Sequence, residues 1–422
     1  MTEEKRSILA LAARHVCPNR VQMLEALGVD LVIGRRDGYR IWDVDGRELL
    51  DFHLNGGVFN LGHRNPEVLA VLRDALETLD IGNHHFPSPA RAELAAALVR
   101  SAPGDLQYAV FAASGSEAIE IAIKTARHAT QRRAVISIRK GYHGHTGLAL
   151  AAGDERAAAL FLSQGPADEF IHVPFNDLAA MEDALRAHDV AAVVLETIPA
   201  TYGFPLPEPG YLPTVKALCA RYGAVYVADE VQTGLGRTGA LWGSQCFGVE
   251  PDILVTGKGL SGGVYPIAAA LLSPRVAGWL HEDGWGHVST FGGAELGCRV
   301  ALKVLEITTR PEVMRNVAAV SERLGAGLEA IRQRHADWFV EIRRCGVIMG
   351  LRFAHERGAQ LMAKCLYEAG IWAMFAGFDP SVLQFKAGLL VDAAYCDEAV
   401  ARFEAGIERC LSMRGAALGT GH

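Results

Sequence analysis

The chain has 422 residues, 50% of them hydrophobic and 21% charged, which excludes a disordered or fibrous protein and allows one large domain with a sizeable core plus a smaller one. A formal net charge of −7, with no basic block beyond pairs such as Arg35-Arg36 and Arg132-Arg133, argues against nucleic-acid binding and for a small-molecule partner. The eight cysteines make no CxxC pair and no zinc-like spacing, so reduced thiols in a cytoplasmic protein without a bound metal are expected.

The opening segment MTEEKRSILALAARHVC carries Glu3 and Glu4 and breaks its apolar run at Arg14, which makes a poor signal peptide, and no run approaches a membrane span. From Gly46 short apolar segments alternate with Gly, Asn and Pro, as a strand-and-turn entry does, and a helix is predicted over Pro66 to Leu79. Between about residues 90 and 275 apolar strands (YAVFAAS, AVISI, AAVVLE, AVYVADE, DILVTGK) alternate with amphipathic helices. Near-continuous apolar strands of this kind read as a parallel sheet buried on both faces. From Gly297 the chain turns helical, with short strands near EIRRCGVIMGLRF and LQFKAGLLV, a last helix from Asp397 to Ser412 and a frayed GAALGTGH tail, which together read as a smaller α+β domain.

Ligands of such sheets bind beyond the carboxyl ends of the strands, where Ser114, Asp229 and Lys258 all fall. Ser114-Gly115-Ser116-Glu117 has the form of a capping box, and the small residues at the helix start leave backbone N–H groups free for an anion such as phosphate. Tyr142 and His143 lie between glycines on a loop after the strand AVISI, where an aromatic ring can stack on a flat ligand. Asp229 closes a buried strand, an expensive place for a carboxylate without a cationic partner. Lys258, in VTGKGLSGGVYPI, follows an apolar run among glycines with no acid within five residues, so burial would favour its neutral, nucleophilic amine. Each stretch taken alone also fits an ordinary cap, turn or exposed lysine. Together, a phosphate seat, a stacking ring, an acid to keep a ring nitrogen protonated and a lysine to form a Schiff base are what pyridoxal phosphate requires.

The motifs SGSEA, GYHG, DEVQTGLGRTG and GKGLSGG, in this order and with an Asp229-to-Lys258 separation of 29 residues, resemble the class III family of pyridoxal-phosphate-dependent aminotransferases. The resemblance runs from GRELLDF and NLGH through STFGG into the C-terminal part. It implies an α/β protein of fold type I, with a mainly parallel central sheet flanked by helices in a cofactor domain of residues 56–296. The smaller α+β domain would combine residues 1–55 with 297–422. It also implies that Gly115 and Ser116, capped by Ser114, bind the cofactor phosphate, that Tyr142 stacks on the ring beside His143, and that Asp229 meets the ring nitrogen. Gln232 would lie near the ring hydroxyl, Lys258 would be the Schiff-base and proton-shuttling lysine, and Thr290 would reach the cofactor phosphate of the neighbouring subunit in a homodimer.

Two departures concern the substrate. Many members carry an arginine in a segment resembling LRFxPPLxI and a gating glutamate in EPxxxE; here LQFKAGLLV has Gln384 at the arginine's place and Ala387 where a proline is usual, while ETIPAT matches Glu196 but has Thr201 at the gate. Losing the cation together with its gating anion avoids an unpaired buried charge and points to a changed substrate. Lys386, and more remotely Arg35, Arg36 and Arg40, are the candidates for meeting a substrate anion. Transamination of an amine or amino acid is the expected activity. An aminomutase, epimerase or lyase on the same scaffold, or a non-catalytic module of this fold, are the alternatives.

Overall fold

The computed structural model describes residues 1–418, and nothing of the expected frayed tail beyond Leu418 lies within it. Seven strands build the central sheet. They follow three earlier ones, β1 (Ile33–Asp37), β2 (Arg40–Asp43) and β3 (Glu48–Asp51), and are β4 (Tyr108–Ala112), β5 (Ala134–Ile138), β6 (Phe170–Val173), β7 (Val190–Glu196), β8 (Val225–Asp229), β9 (Ile253–Thr256) and β10 (Ala268–Leu272). Their spatial order is β4-β10-β9-β8-β7-β5-β6. The expected parallel arrangement holds from β9 to β6, whereas β10 runs antiparallel between β9 and β4.

Apart from the edge strand β4, which is mostly half-buried, the apolar runs that predicted this sheet are buried along their length because both faces are covered. In β7, Ala192 and Val194 enter one core with the helix Gly115–Thr130, while Val193 and Leu195 enter a second with the helices Leu178–Ala187 and Tyr211–Tyr222. Alternate side chains of a strand point to opposite faces, so a fully covered strand must be apolar throughout.

The C-terminal part contains β11 (Phe339–Cys345), β12 (Ile348–Phe353), β13 (Ile371–Trp372), β14 (Met374–Ala376) and β15 (Asp379–Lys386), with long helices Pro311–Arg334 and Ala393–Leu418. The last helix is longer at both ends than the segment Asp397 to Ser412 read from sequence, and the first part of the GAALGTGH segment continues it. The predicted helix from Pro66 stops at Leu76. β11, β12, β15 and β14 form one sheet, while β13 leaves it to pair in parallel with β3, Ile371 opposite Leu50. The stacking of Phe52 on Phe385, with centroids 4.0 Å apart, fastens the N-terminal strands to the same C-terminal core. Among the described residues no helix is long and apolar enough to cross a membrane.

Candidate active site

The carboxyl ends of β4, β5, β7, β8 and β9 converge on a cavity of about 140 Å³ lined by Gly115, Ser116, Tyr142, His143, Gln232 and Lys258, with Glu196 and Asp229 in its wall. Lys258 opens a short 3-10 turn immediately after β9, with φ of 43°, a left-handed conformation that costs a non-glycine residue roughly 1–3 kcal/mol. The turn is held by the Ser261 hydroxyl, which donates to the Lys258 carbonyl at 2.7 Å. The Lys258 ammonium group lies 6.0 Å from the centroid of the Tyr142 ring, and no described carboxylate comes within ion-pair distance of it. Burial, aided by the Arg237 charge, lowers its pKa against the opposing pull of Asp229 and Glu196, so the neutral amine gains population.

Asp229 is oriented from two sides. One carboxylate oxygen is 2.8 Å from Nδ1 of His143, and the other accepts the Val231 amide at 3.0 Å. His143 is fully buried, which disfavours its charged form, yet the hydrogen bond to Asp229 and the nearby acids outweigh burial and raise its pKa above 6.5. The imidazole is thereby committed to Asp229. Glu196, register partner of Asp229 on the adjacent strand, accepts the amides of Tyr142 at 2.9 Å and Ala200 at 3.0 Å. Burial foremost pushes its pKa up to about 7, with Asp229 adding to the rise.

The helix Gly115–Thr130 begins as its sequence predicted. The Ser114 hydroxyl accepts the Glu117 amide, while the Glu117 carboxylate reaches back to the Ala113 amide at 2.8 Å. Ser114 is therefore spent on the cap and faces solvent, and Gly115 and Ser116 supply the cavity wall. Gly144, at φ +118°, closes over this end; a Cβ there would fall onto Ser116 Oγ, so the approach of the loop to the helix N-terminus requires glycine. Thr290 stands apart from the cavity, exposed on the loop before the helix Glu295–Thr308.

Of the substrate-side candidates Glu196 lines the cavity, whereas Thr201, Gln384 and Lys386 are not among its lining residues. Lys386 at the end of β15 is fully buried, donates to Gln384 Oε1 at 2.9 Å and lies 5.4 Å from the Phe204 ring centroid. Burial, reinforced by Arg237 and Lys258, drives its pKa well below the ordinary value. Thr201 accepts the Phe378 amide through its carbonyl and is half-buried beside Gly377. Arg40 is committed to Glu48 at 2.6 Å and Glu398 at 2.5 Å, and Arg35 to Asp37 on the surface, so neither is free for a substrate anion.

Sequence reasoning passed over Arg237, although it stands within DEVQTGLGRTG. It is fully buried, donates to the carbonyls of Gln232 at 2.7 Å and Gly57 at 2.6 Å, and has Nη1 unpartnered. Without a carboxylate partner, burial lowers its pKa to about 9. A guanidinium buried so needs an anion or a functional reason. The segment Leu54–Gly57, left-handed at four consecutive residues, was also missed; it brings bare backbone against Lys258 and Gln232 at Gly56.

The aminotransferase class-III family model matches residues 24–407. A protein of Archaeoglobus fulgidus named an uncharacterized aminotransferase is 47% identical over 92% of this chain and 90% of its own length. The putrescine aminotransferase of Pectobacterium atrosepticum is 35% identical over 78% of this chain and 72% of that relative. Among solved structures, ornithine aminotransferase from Toxoplasma gondii superposes with a TM-score of 0.87 at 27% identity, covering 98% of this chain and 96% of that one. The chain belongs to the class III aminotransferases and is a pyridoxal-phosphate-dependent enzyme of fold type I.

Proposed function

We propose that Lys258 and Asp229 carry the transamination, with Lys258 holding the cofactor covalently and moving the substrate proton. The observation that supports this most is the convergence, in one cavity, of a buried lysine of depressed pKa, a strand-end aspartate oriented by His143, and an uncluttered helix N-terminus. These residues fit pyridoxal phosphate. The glycine-lined helix start at Gly115 and Ser116 suits a phosphate, and Asp229 suits a protonated ring nitrogen. Tyr142 supplies a face for the ring, and Gln232 a polar edge near its hydroxyl.

Bound pyridoxal phosphate supplies an electron sink that acidifies the C–H bond beside the substrate nitrogen. Asp229 keeps the proton on the ring nitrogen, and His143 fixes the carboxylate that does so. Nζ of Lys258, held toward neutrality by burial, accepts the proton from the substrate carbon and later returns it. The elimination, mutase and epimerase alternatives differ in where that proton or a leaving group goes. A stopped-flow half-reaction separates them: donor alone should change the cofactor absorbance stoichiometrically, and a keto acid should restore it. Recovery of the starting spectrum without a keto acid would overturn transamination.

For the substrate, the neutral Gln384 and Thr201 support an amine whose remote end is not read by an arginine clamp. Lys386, buried with one hydrogen-bond acceptor, is the first candidate to meet an anion there, and Arg237 the second. The putrescine aminotransferase relative favours a second reading, a donor without a carboxylate. Gln384→Arg should raise apparent affinity for glutamate-like donors, most clearly with Thr201→Glu added, and should damage turnover of the native donor. The measurement is the kcat/KM ratio for glutamate against the best donor of an amine panel. A wild type that already prefers glutamate, and keeps that preference as Lys386→Ala, would overturn the reading.

The proposed assembly is a homodimer in which Thr290 reaches the partner's cofactor phosphate; the exposure of Thr290 beside Trp285, Val288 and Phe291 supports it. The proposed domain division is residues 56–296 for the cofactor and 1–55 with 297–422 for the smaller unit, supported by the shared core of Leu50, Phe52 and Phe385. A cytoplasmic location is proposed from the scattered cysteine spacing, which suggests no disulfide framework.

A further inference from the structure

The eight cysteines look scattered in sequence, but two of them converge on one residue in the fold. Cys246 ends the short helix Gly243–Cys246 and is exposed, and Cys345 ends β11 and is half-buried. Both sulfurs converge on one carbonyl oxygen, that of Thr238, at 3.6 and 3.7 Å, and Cys246 Sγ also lies 3.5 Å from Thr238 Oγ1. The two thiols therefore share one acceptor, and each bears on the other's ionisation. We propose that Cys246 and Cys345 form a reversible disulfide clasp, a modification site for oxidants of the small-molecule disulfide class.

The asymmetry of the pair sets the direction of the chemistry. Cys246 is exposed whereas Cys345 is half-buried, and the pairing holds the Cys246 thiol below the ordinary thiol range and the Cys345 thiol above it. The exposed Cys246, the more acidic of the two, is thus the attacking sulfur. It displaces one thiolate from the oxidant and leaves a mixed disulfide on Cys246. The Cys345 thiol, losing its proton to solvent, then attacks the Cys246 sulfur and expels the second thiolate. Two protein thiols lose two electrons and two protons, and the oxidant disulfide becomes two thiols.

The clasp would act on a seam that frames the site. Val347, two residues beyond Cys345, donates its amide to the Arg237 carbonyl at 2.9 Å, and the Arg237 side chain holds the carbonyls of Gln232 and Gly57. Cys345 packs with Ile198, Ala200 and Phe204 on the loop that carries Thr201. Linking positions 246 and 345 closes a loop of about a hundred residues, a length at which a cross-link strongly restricts the unfolded chain. A second pair in contact, Cys365 and Cys410, is fully buried and serves as an internal comparison.

The test uses the full-length protein with its cofactor, treated with oxidised glutathione, blocked with N-ethylmaleimide, digested and read by mass spectrometry. The expected result is a peptide pair joined through Cys246 and Cys345, lighter by two hydrogens, which dithiothreitol separates, with Cys365 and Cys410 unlinked. In Cys345→Ser glutathione should remain on Cys246, whereas in Cys246→Ser no adduct should form at Cys345. The linked protein should melt a few degrees above its reduced form, and neither variant should show that oxidant-dependent shift. Glutathione retained on wild-type Cys246 without linkage, preferential linkage of other cysteines, or an unchanged melting temperature in the linked form would overturn the proposal.

Discussion

Lys258→Ala is expected to lose at least about a thousandfold in kcat/KM, because one substitution removes both the covalent attachment and the group that carries the proton. The variant should still bind pyridoxal phosphate, since the helix N-terminus at Gly115 and the Asp229 carboxylate are untouched. Its fold should survive: the deleted ammonium group was buried without an ion-pair partner among the described residues, so its removal leaves no charge stranded. Borohydride treatment of the wild type should fix the cofactor on the peptide containing Lys258, and treatment of the variant should fix none. A tag on another lysine, or turnover within tenfold of wild type, would show that the assignment is wrong.

Asp229→Asn is expected to reduce kcat by about a hundredfold or more with a much smaller loss of cofactor affinity, because the amide preserves shape and removes the charge that holds a proton on the ring nitrogen. The effect should also be legible at His143. Its pKa is raised because the Asp229 hydrogen bond and the charges of Asp229 and Glu196 together outweigh burial, so with asparagine, which leaves only the Glu196 charge against burial, the value should fall. Titration of the His143 imidazole by NMR in wild type and variant reads this shift directly. Unchanged turnover would sink the electron-sink assignment, and an unmoved His143 would separate that residue from Asp229.

The cofactor side of the site was legible in the sequence for a physical reason: each part is local. A strand end, a helix cap and a loop of glycines are short-range features, and the parallel sheet then gathers their carboxyl ends without further instruction. The antiparallel β10 was missed because Ala268–Leu272 is an apolar run with no preceding helix to distinguish its direction, and β6 because Phe170–Val173 is short and only partly buried. Contacts across long separations were not legible. Arg237 reads as one more charge in a glycine-rich loop until Gly57 closes over its guanidinium, and Cys246 and Cys345 read as unrelated thiols until Thr238 lies between them. The substrate side is built from such contacts, which is why Gln384 and Lys386 could be named from sequence but their mutual hydrogen bond could not.

The pairing of β3 with β13 carries a consequence for biosynthesis. Leu50 finds its strand partner Ile371 more than three hundred residues later, and Phe52 finds Phe385 later still. At roughly 5–20 residues per second a ribosome takes tens of seconds to deliver that partner. During this interval the nascent chain holds Leu49, Leu50 and Phe52, all fully buried in the finished protein, beside an open strand edge. Chains ending before residue 371 should therefore be captured by holdase chaperones or aggregate, even when the central sheet is complete, and release should follow synthesis of β13 and β15. Ribosome-bound chains of increasing length, probed by proteolysis with and without a chaperone, would show protection of the N-terminal strands appearing only once that C-terminal segment has emerged.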